Sequence, residues 1–463
     1  MKTSARSPRA KGSNPLPSAR GGGSRPGRLS RWRGPSSILT PARRPAVIAS
    51  LAFCALAVPA FLLILEAMGL RVWSVDFFAY RYAVETGLRG EDVYTRWVTG
   101  PGLDERGLPY NYTPFALLAL LPTALGPWWF AYGLWSIGTT AAIGAAIAVV
   151  VPRILDVWWR LPLTLLALLP TQILAHHLMF GQVNAFLTLA CLVDVWLMAR
   201  VWRESRDPAV EGTVEDGTQG TAAGGTQGAP RRRYPGGVLI GIATAIKLTP
   251  GLFIIFLLLL GRWREARNAS LACAACFLAG FVLFPRSSIV FATTTFWELS
   301  SRVDLNNVFA TSVNKSVQGV FASISPDLAT VGKAVMVLLV GACLWAAVRL
   351  ARRGEAVLGA LAVGVGTTLA SPLTWVHHWT YLLPLLVVVA VRGGVGSRIV
   401  CAVAYLGVVL AAADFEGPLL DLAVGPVSQA LLGPVGLVLR AWVLVAGLVL
   451  TALLLRLPGR RES

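Results

Sequence analysis

The chain has 463 residues, 55% hydrophobic and 14% charged, with a mean hydropathy of +0.64. Soluble domains carry about 25% charged residues, so this composition excludes a globular cytosolic enzyme, a secreted disulfide scaffold and a coiled coil. The net charge of +18 is local: eleven of the 41 Lys and Arg lie in residues 1–50, which hold no acid, and the other 30 stand against 23 acids. No nucleic-acid partner is therefore expected.

Residues 1–44 are rich in Arg, Pro, Gly and Ser. They read as a disordered basic arm, held in the cytoplasm by the positive-inside rule and able to touch anionic lipid headgroups. Residues 45–456 read as one transmembrane domain, and 457–463 as a cytoplasmic tail. Apolar runs near the ~20 residues that span a bilayer fall at 46–68, 127–151, 161–178, 183–202, 267–284, 329–350, 355–371, 376–392, 398–413 and 434–456. The stretch 235–261 carries Lys247 and Pro250 at its middle and reads as two short spans meeting at the outer face. The run 114–125, broken by Pro122 and Pro127, reads as a re-entrant half-span. The expectation is an all-α polytopic membrane protein of about twelve helices.

Short loops with Arg153 and Arg160, Arg262 and Arg264, and Arg349, Arg352 and Arg353 set the cytoplasmic side. Both termini then lie in the cytoplasm of a multi-pass plasma-membrane protein. The extracytoplasmic face receives 69–113, 176–184, 247–250, 285–328, 371–378 and 414–433. Residues 203–234 read as a flexible cytoplasmic linker. The six Cys lie in apolar stretches and read as small buried hydrophobes; Cys273 and Cys276 have neither a second pair nor a nearby His for zinc.

Unusual polar residues gather on the outer face. They are Asp76, the turn Tyr110-Asn111-Tyr112-Thr113-Pro114, the pair His176-His177, Gly181-Gln182-Val183-Asn184, Lys247-Leu248-Thr249-Pro250, Asn314-Lys315-Ser316, and Ser371 through Trp375 running into His377-His378. Polar groups at span ends are costly unless they line a wet cavity or a site, so one composite outward-facing site is expected. Asp76 has two local readings, a general base with a raised pKa or the N-cap of an interfacial helix over 77–87 closed by Gly87. Lys247 reads as a cation for a phosphate or as a side chain snorkelling to the interface. For each His pair the alternatives are a satisfied interfacial imidazole and a ligand. Neighbours on a helix point about 100° apart, so at most one His per pair faces a shared site. Gln182 and Asn184 read as sugar-binding or as interhelical hydrogen-bonding groups. Asp194, inside the span 183–202, is expected to serve helix packing or to pair with an Arg.

The pieces Val75-Asp76-Phe77-Phe78-Ala79-Tyr80, Gly90-Glu91-Asp92-Val93-Tyr94, Tyr112-Thr113-Pro114-Phe115, Gly181-Gln182-Val183-Asn184, Ile246-Lys247-Leu248-Thr249-Pro250, Asn314-Lys315-Ser316-Val317-Gln318-Gly319 and Ser371-Pro372-Leu373-Thr374-Trp375-Val376-His377-His378 occur in that order over about 70–390. Together they resemble glycosyltransferase family 87 of the C-type superfamily, polytopic enzymes best known from actinobacterial envelope synthesis. Two positions depart from the family's pattern: Thr113 stands where Pro is usual, and Lys315 where Gln is frequent. The basic arm and the 203–234 insert lie outside the resemblance.

The resemblance implies a C-type fold with short interfacial helices in the first outer loop. It also implies transfer of a sugar, mannose favoured over arabinofuranose, from a polyprenyl-phosphate donor to a hydroxyl of a glycolipid or lipoglycan acceptor. Asp76 matches the family's base position. Lys247, His377 and His378 become candidates for the donor phosphate, and Tyr80, Tyr112, His177, Gln182, Asn184, Asn314 and Trp375 for substrate binding. One base and one displacement imply inversion at the anomeric carbon. No cofactor and no obligatory metal are expected. A transporter or flippase of lipid-linked saccharides, and a non-catalytic envelope scaffold docked through the basic arm, are the competing classes.

Overall fold

The computed structural model describes residues 40–69, 72, 74–103, 107–204, 234–303, 314–410 and 434–458. The basic arm up to residue 39, residues 205–233 of the insert, residues 411–433, which include the 414–433 segment expected on the outer face, and the tail from 459 lie outside the described residues.

Among the described residues the chain is helical, and its one β feature is an isolated antiparallel bridge between Val98 and Leu108. In chain order the helices are α1 (Arg44–Ala67), α2 (Val75–Leu88), α3 (Ala116–Ala119), α4 (Trp128–Val150), α5 (Arg160–Leu168), α6 (Gln172–Phe180), α7 (Asn184–Glu204), α8 (Val238–Ile246) and α9 (Leu252–Leu259). They continue with α10 (Trp263–Leu283), α11 (Pro285–Val290), α12 (Phe296–Val303), α13 (Val317–Ile324), α14 (Ala329–Arg352), α15 (Ala356–Leu369), α16 (Leu382–Arg392), α17 (Val395–Leu410) and α18 (Pro434–Leu454).

Among the described residues, five helices, at Pro41–Ala67, Trp128–Val150, Asn184–Trp202, Trp263–Leu283 and Pro326–Arg352, are long and apolar enough to cross a membrane. A sixth arises if α5 and α6, bent by 81° at the break, count as one span. Shorter apolar helices occur among the described residues at Thr249–Leu259, Ala356–Leu369, Leu382–Arg392 and Val395–Val409, and α18 runs 21 residues. Length and composition therefore support a membrane protein, with five or six full-length apolar helices among the described residues. The run 114–125 folds as α3 plus a 3-10 turn, Leu121–Ala124.

α7 lies at the centre, packed on α4, α8 and α15, with α10 against α8 and α14 against α15. Interior faces of α4, α7, α15 and α16 form one continuous apolar core. The outer helices α1, α10 and α14 bury less than a quarter of their most apolar stretch, as expected where a helix faces lipid rather than protein. Leu56, Leu63, Leu278, Val282, Val337 and Leu338 are accordingly more than 60% exposed.

Asp194 does not meet an Arg. Its carboxylate is fully buried and accepts from the Tyr234 hydroxyl (2.9 Å) and from the backbone N–H groups of Gly237 (2.9 Å) and Ile240 (2.8 Å). These are orphan donors at the start of α8, so the acid caps a neighbouring helix instead of neutralising a cation. All six cysteines are free thiols; Cys273 and Cys276 are half-buried and the other four are buried.

Candidate active site

The C-termini of α6, α8 and α15 and the N-termini of α7 and α16 come together at one end of the bundle, and α2 packs on α6 there. The turn between α6 and α7 sets this geometry. Gly181 closes α6 in a left-handed conformation (φ 74°), with its own N–H and that of Gln182 both donating to the His177 carbonyl. A Cβ on Gly181 would lie 2.5 Å from the Phe77 Cβ, so glycine is needed here for both conformation and space. The Tyr132 hydroxyl donates to Leu178 O (2.7 Å) and the Trp135 indole to Gly181 O (2.9 Å), which satisfies the last carbonyls of α6 from α4. Ser74, in a left-handed conformation (φ 47°), donates its N–H to Met179 O at 2.7 Å and brings the start of α2 onto this turn.

Asp76 therefore does not cap a helix. α2 already begins at Val75, and the carboxylate accepts from Gln182 Nε2 at 2.6 Å. A polar chain runs on from there. Gln182 Oε1 accepts from Asn184 Nδ2 (3.1 Å) and from the hydroxyls of Tyr80 (3.3 Å) and Tyr112 (3.4 Å), which lie 2.8 Å from each other. Asn184 Oδ1 accepts from Lys247 Nζ at 3.0 Å. The Lys247 ammonium also sits over the Tyr112 ring, 5.5 Å from its centroid.

Lys247 reaches this position because α8 ends at Ile246. Lys247 is extended (φ −143°, ψ 132°), and helical structure resumes only at the Thr249–Gly251 turn, where Pro250 sits in a first-turn position that needs no N–H. The ammonium points inward, so the snorkelling alternative does not hold. Its Nζ lies 3.3 Å from His378 Nε2. His378 Nδ1 accepts the Trp375 N–H at 3.3 Å, which assigns the remaining proton of a neutral ring to Nε2. Two donors then face one gap, an arrangement that an oxyanion beside both would satisfy.

Burial pushes Asp76 up to about 6, against the opposing pull of the Gln182 hydrogen bond and the Lys247 charge. Burial likewise lowers Lys247 to about 8, with the Asp76 charge holding it up. His378 is driven well below the usual imidazole range by burial and then by Lys247.

One His of the second pair faces Lys247, in line with the expectation. His377 instead stacks on Trp375 (ring centroids 6.1 Å apart, planes within 5°) and lies against Phe180. Trp375 therefore meets the site through its N–H and through His377. His177 is only 1% exposed: its Nδ1 bonds His377 O (3.2 Å) and its Nε2 accepts the Ala185 N–H (3.3 Å). That ring is a strut between the two halves of the site. The Asn314 side-chain carbonyl accepts the N–H groups of Ser316 and Thr374, both at 3.1 Å, bracing the loop that carries Trp375. For His177 and Asn314 the geometry favours bracing over the substrate contact expected of them.

A cleft whose walls include Asn184, Thr188, Lys247, Thr368, His378 and Tyr381 opens beside the cationic pair. Asp76 does not line this cleft and joins it through Gln182 and Asn184. The sequence reading missed Thr188 and Thr380, whose hydroxyls lie 2.6 Å apart in the cleft wall. It also missed Tyr132 and Trp135, which signal themselves only as polar-tipped aromatics on an apolar helix. Among the described residues no group of three or more His, Cys, Asp or Glu side chains converges on a metal position.

No solved structure matches the chain. Curated relatives do. The chain is 26% identical over 366 residues to a polyprenol-phosphate-mannose-dependent alpha-(1-2)-phosphatidylinositol mannoside mannosyltransferase of Mycobacterium tuberculosis, covering 73% of this chain and 75% of that protein. To the protein of the same description from Mycolicibacterium smegmatis it is 27% identical over 359 residues, 69% and 70% of the two chains. A polyprenol-phosphate-mannose-dependent alpha-(1-2)-phosphatidylinositol pentamannoside mannosyltransferase of Mycolicibacterium smegmatis matches at 26% over 295 residues, 60% of each. The model of glycosyltransferase family 87 matches residues 110–372. That span takes in Tyr112, His177, Gln182, Asn184, Lys247 and Asn314; Asp76, Tyr80, Trp375, His377 and His378 lie beyond its ends. With over half of its length matched by that model, and a membrane-type helical fold around one polar site, the chain belongs to glycosyltransferase family 87.

Proposed function

We propose that the protein transfers a mannosyl group from polyprenyl-phosphate mannose to a hydroxyl of a phosphatidylinositol-mannoside-like glycolipid, at the extracytoplasmic face and with inversion. The observation that carries this reading is the pair of donors, Lys247 Nζ and His378 Nε2, 3.3 Å apart at the edge of a cleft and linked by two amides to a partly buried carboxylate. Family membership favours an enzyme over a transporter or a scaffold. The printed activities of the relatives favour mannose over arabinofuranose.

The chemistry balances on these residues. The acceptor hydroxyl gives its proton to Asp76 as its oxygen bonds the anomeric carbon. The bond from that carbon to the phosphate oxygen breaks, and the polyprenyl phosphate leaves with the electron pair. Lys247 and His378 stabilise the charge that develops on the phosphate. A carboxylate near pKa 6 is a stronger base than an ordinary Asp and remains ionised at neutral pH. Attack opposite the leaving phosphate converts a β-linked donor into an α-linked product. Gln182 holds the base in place, while Tyr80, Tyr112 and Asn184 present hydroxyl and amide groups to the sugar or acceptor.

The test is incubation of membranes containing the protein with polyprenyl-phosphate mannose or polyprenyl-phosphate arabinofuranose, followed by mass spectrometry of the lipid products. A hexose increment on a phosphatidylinositol mannoside, dependent on the mannose donor, is expected. A pentose increment alone, or no transfer from either donor, overturns the reading.

A further inference from the structure

We infer that Thr113 is a positioning residue for the donor phosphate, acting through the backbone that carries Lys247. This rests on the reading of Lys247 as a phosphate ligand given above. Where α8 stops at Ile246, the Ala245 carbonyl loses the N–H that a continuing helix would supply four residues on. The Thr113 hydroxyl donates to that carbonyl. The Thr113 hydroxyl oxygen in turn accepts the Ala116 N–H at 3.3 Å, at the start of α3. Thr113 is 2% exposed and Ala245 is fully buried, so water cannot replace either bond.

The two ends of this link are not arbitrary. Ala245 lies two residues before Lys247, and Thr113 directly follows Tyr112, whose ring lies under the Lys247 ammonium. The Tyr112 carbonyl is itself held by the Tyr94 hydroxyl at 2.7 Å, and the backbone at Pro114–Phe115 is wedged against Gly280 of α10, where a Cβ would come within 2.8 Å of Phe115 N. The loop is thereby anchored at two other points, and Thr113 passes that rigidity to the end of α8. Only a side chain with both a donor and an acceptor on one short branch can make the two bonds at once. Thr and Ser qualify; Val, of the same shape as Thr, does not.

Thr113 touches neither Asp76 nor His378, so its loss should displace Lys247 and weaken the hold on the donor without altering the base. Thr113→Val should raise the donor KM roughly 5- to 20-fold, the scale for losing an interaction that orients a charged group. The acceptor KM and the acid limb of the pH–rate profile should stay within about twofold of wild type. Thr113→Ser should restore the wild-type donor KM. KM does not depend on how much protein reaches the membrane, so reduced accumulation of Thr113→Val does not obscure the result.

The inference is overturned if Thr113→Val leaves the donor KM unchanged, if it raises donor and acceptor KM equally, or if Thr113→Ser behaves as Thr113→Val does. Accumulation of Thr113→Ser with complete absence of Thr113→Val and Thr113→Ala would also overturn it, since the residue would then serve folding alone. Absence of mannosyl transfer by the wild-type protein sinks the proposed function itself; an active wild type with indifferent Thr113 variants sinks only this inference.

Discussion

Replacing Asp76 by Asn removes the base while keeping the hydrogen-bond geometry around it. Asn is nearly isosteric, and its side-chain carbonyl can still accept the hydrogen bond that Gln182 Nε2 now gives to the carboxylate at 2.6 Å. The chain through Gln182, Asn184 and Lys247 should therefore survive, and with it the fold and the donor affinity. What disappears is the proton acceptor. General-base catalysis contributes about 10²–10⁴-fold, or about 3–5 kcal/mol of barrier at 1.36 kcal/mol per decade. The variant should lose that factor in kcat with a donor KM within about threefold of wild type. A second signature follows from the coupling of the two charges: Asp76 holds Lys247 up against burial, so without it the alkaline limb should move below about 8. The assay is label transfer from radiolabelled polyprenyl-phosphate mannose in membranes, normalised to inserted protein, across pH 5–9. Retention of more than about a tenth of the wild-type kcat would refute the assignment of the base, as would an acid limb unchanged near 6.

Other expectations test the remaining parts. For the wild-type enzyme, kcat/KM should be bell-shaped, rising as pH passes about 6 and Asp76 loses its proton, then falling past about 8 as Lys247 loses its own; a profile flat from pH 5 to 9 contradicts it. Lys247→Met should lower kcat/KM for the donor by about 10²–10³-fold, the usual loss for a group facing developing negative charge, and Lys247→Arg should recover part of it; steady-state kinetics with varied donor decide. His177→Ala should depress activity through misplacement of the His377 carbonyl while leaving both pH limbs where they were, because the ring makes two neutral hydrogen bonds and carries no charge in the site. Asp194→Ala should destabilise by about 1–3 kcal/mol through two stranded N–H groups at the start of α8, with Asp194→Asn milder; thermal unfolding in detergent measures both.

The membrane class and most helix positions were legible because each rests on a local property, a run of apolar residues or a Pro that stops one. Boundaries such as the observed α4 at Trp128–Val150 against an expected 127–151 follow from that alone. The gathering of the polar clusters was legible too, since ionisable groups at span ends have few stable places to go. What spacing could not reveal was pairing. Gln182 reaches Asp76 across 106 residues and Lys247 reaches Asn184 across 63, and no local pattern distinguishes these amides from ordinary interhelical ones. Asp76 read equally well as a helix cap because the two-residue shift that places Val75 inside α2 comes with Ser74 bonding to Met179, a tertiary contact. Of the two roles expected of Asp194, helix packing and pairing with an Arg, the structure shows the first, because the Tyr234 hydroxyl and two N–H groups at the start of α8 satisfy the carboxylate. Thr113 stood out only as a departure from a family pattern, since its bond to the Ala245 carbonyl is a tertiary contact across 132 residues.

The account turns on a phosphate held between Lys247 and His378, with Asp76 on the far side of the sugar. An experimental structure of the protein in a lipid nanodisc, bound to a non-transferable analogue of polyprenyl-phosphate mannose, tests this most directly. The account predicts phosphate oxygens within hydrogen-bonding distance of Lys247 Nζ and His378 Nε2 and the anomeric carbon turned towards Asp76. A phosphate bound elsewhere, or a sugar separated from Asp76 by a wall of protein, would contradict it.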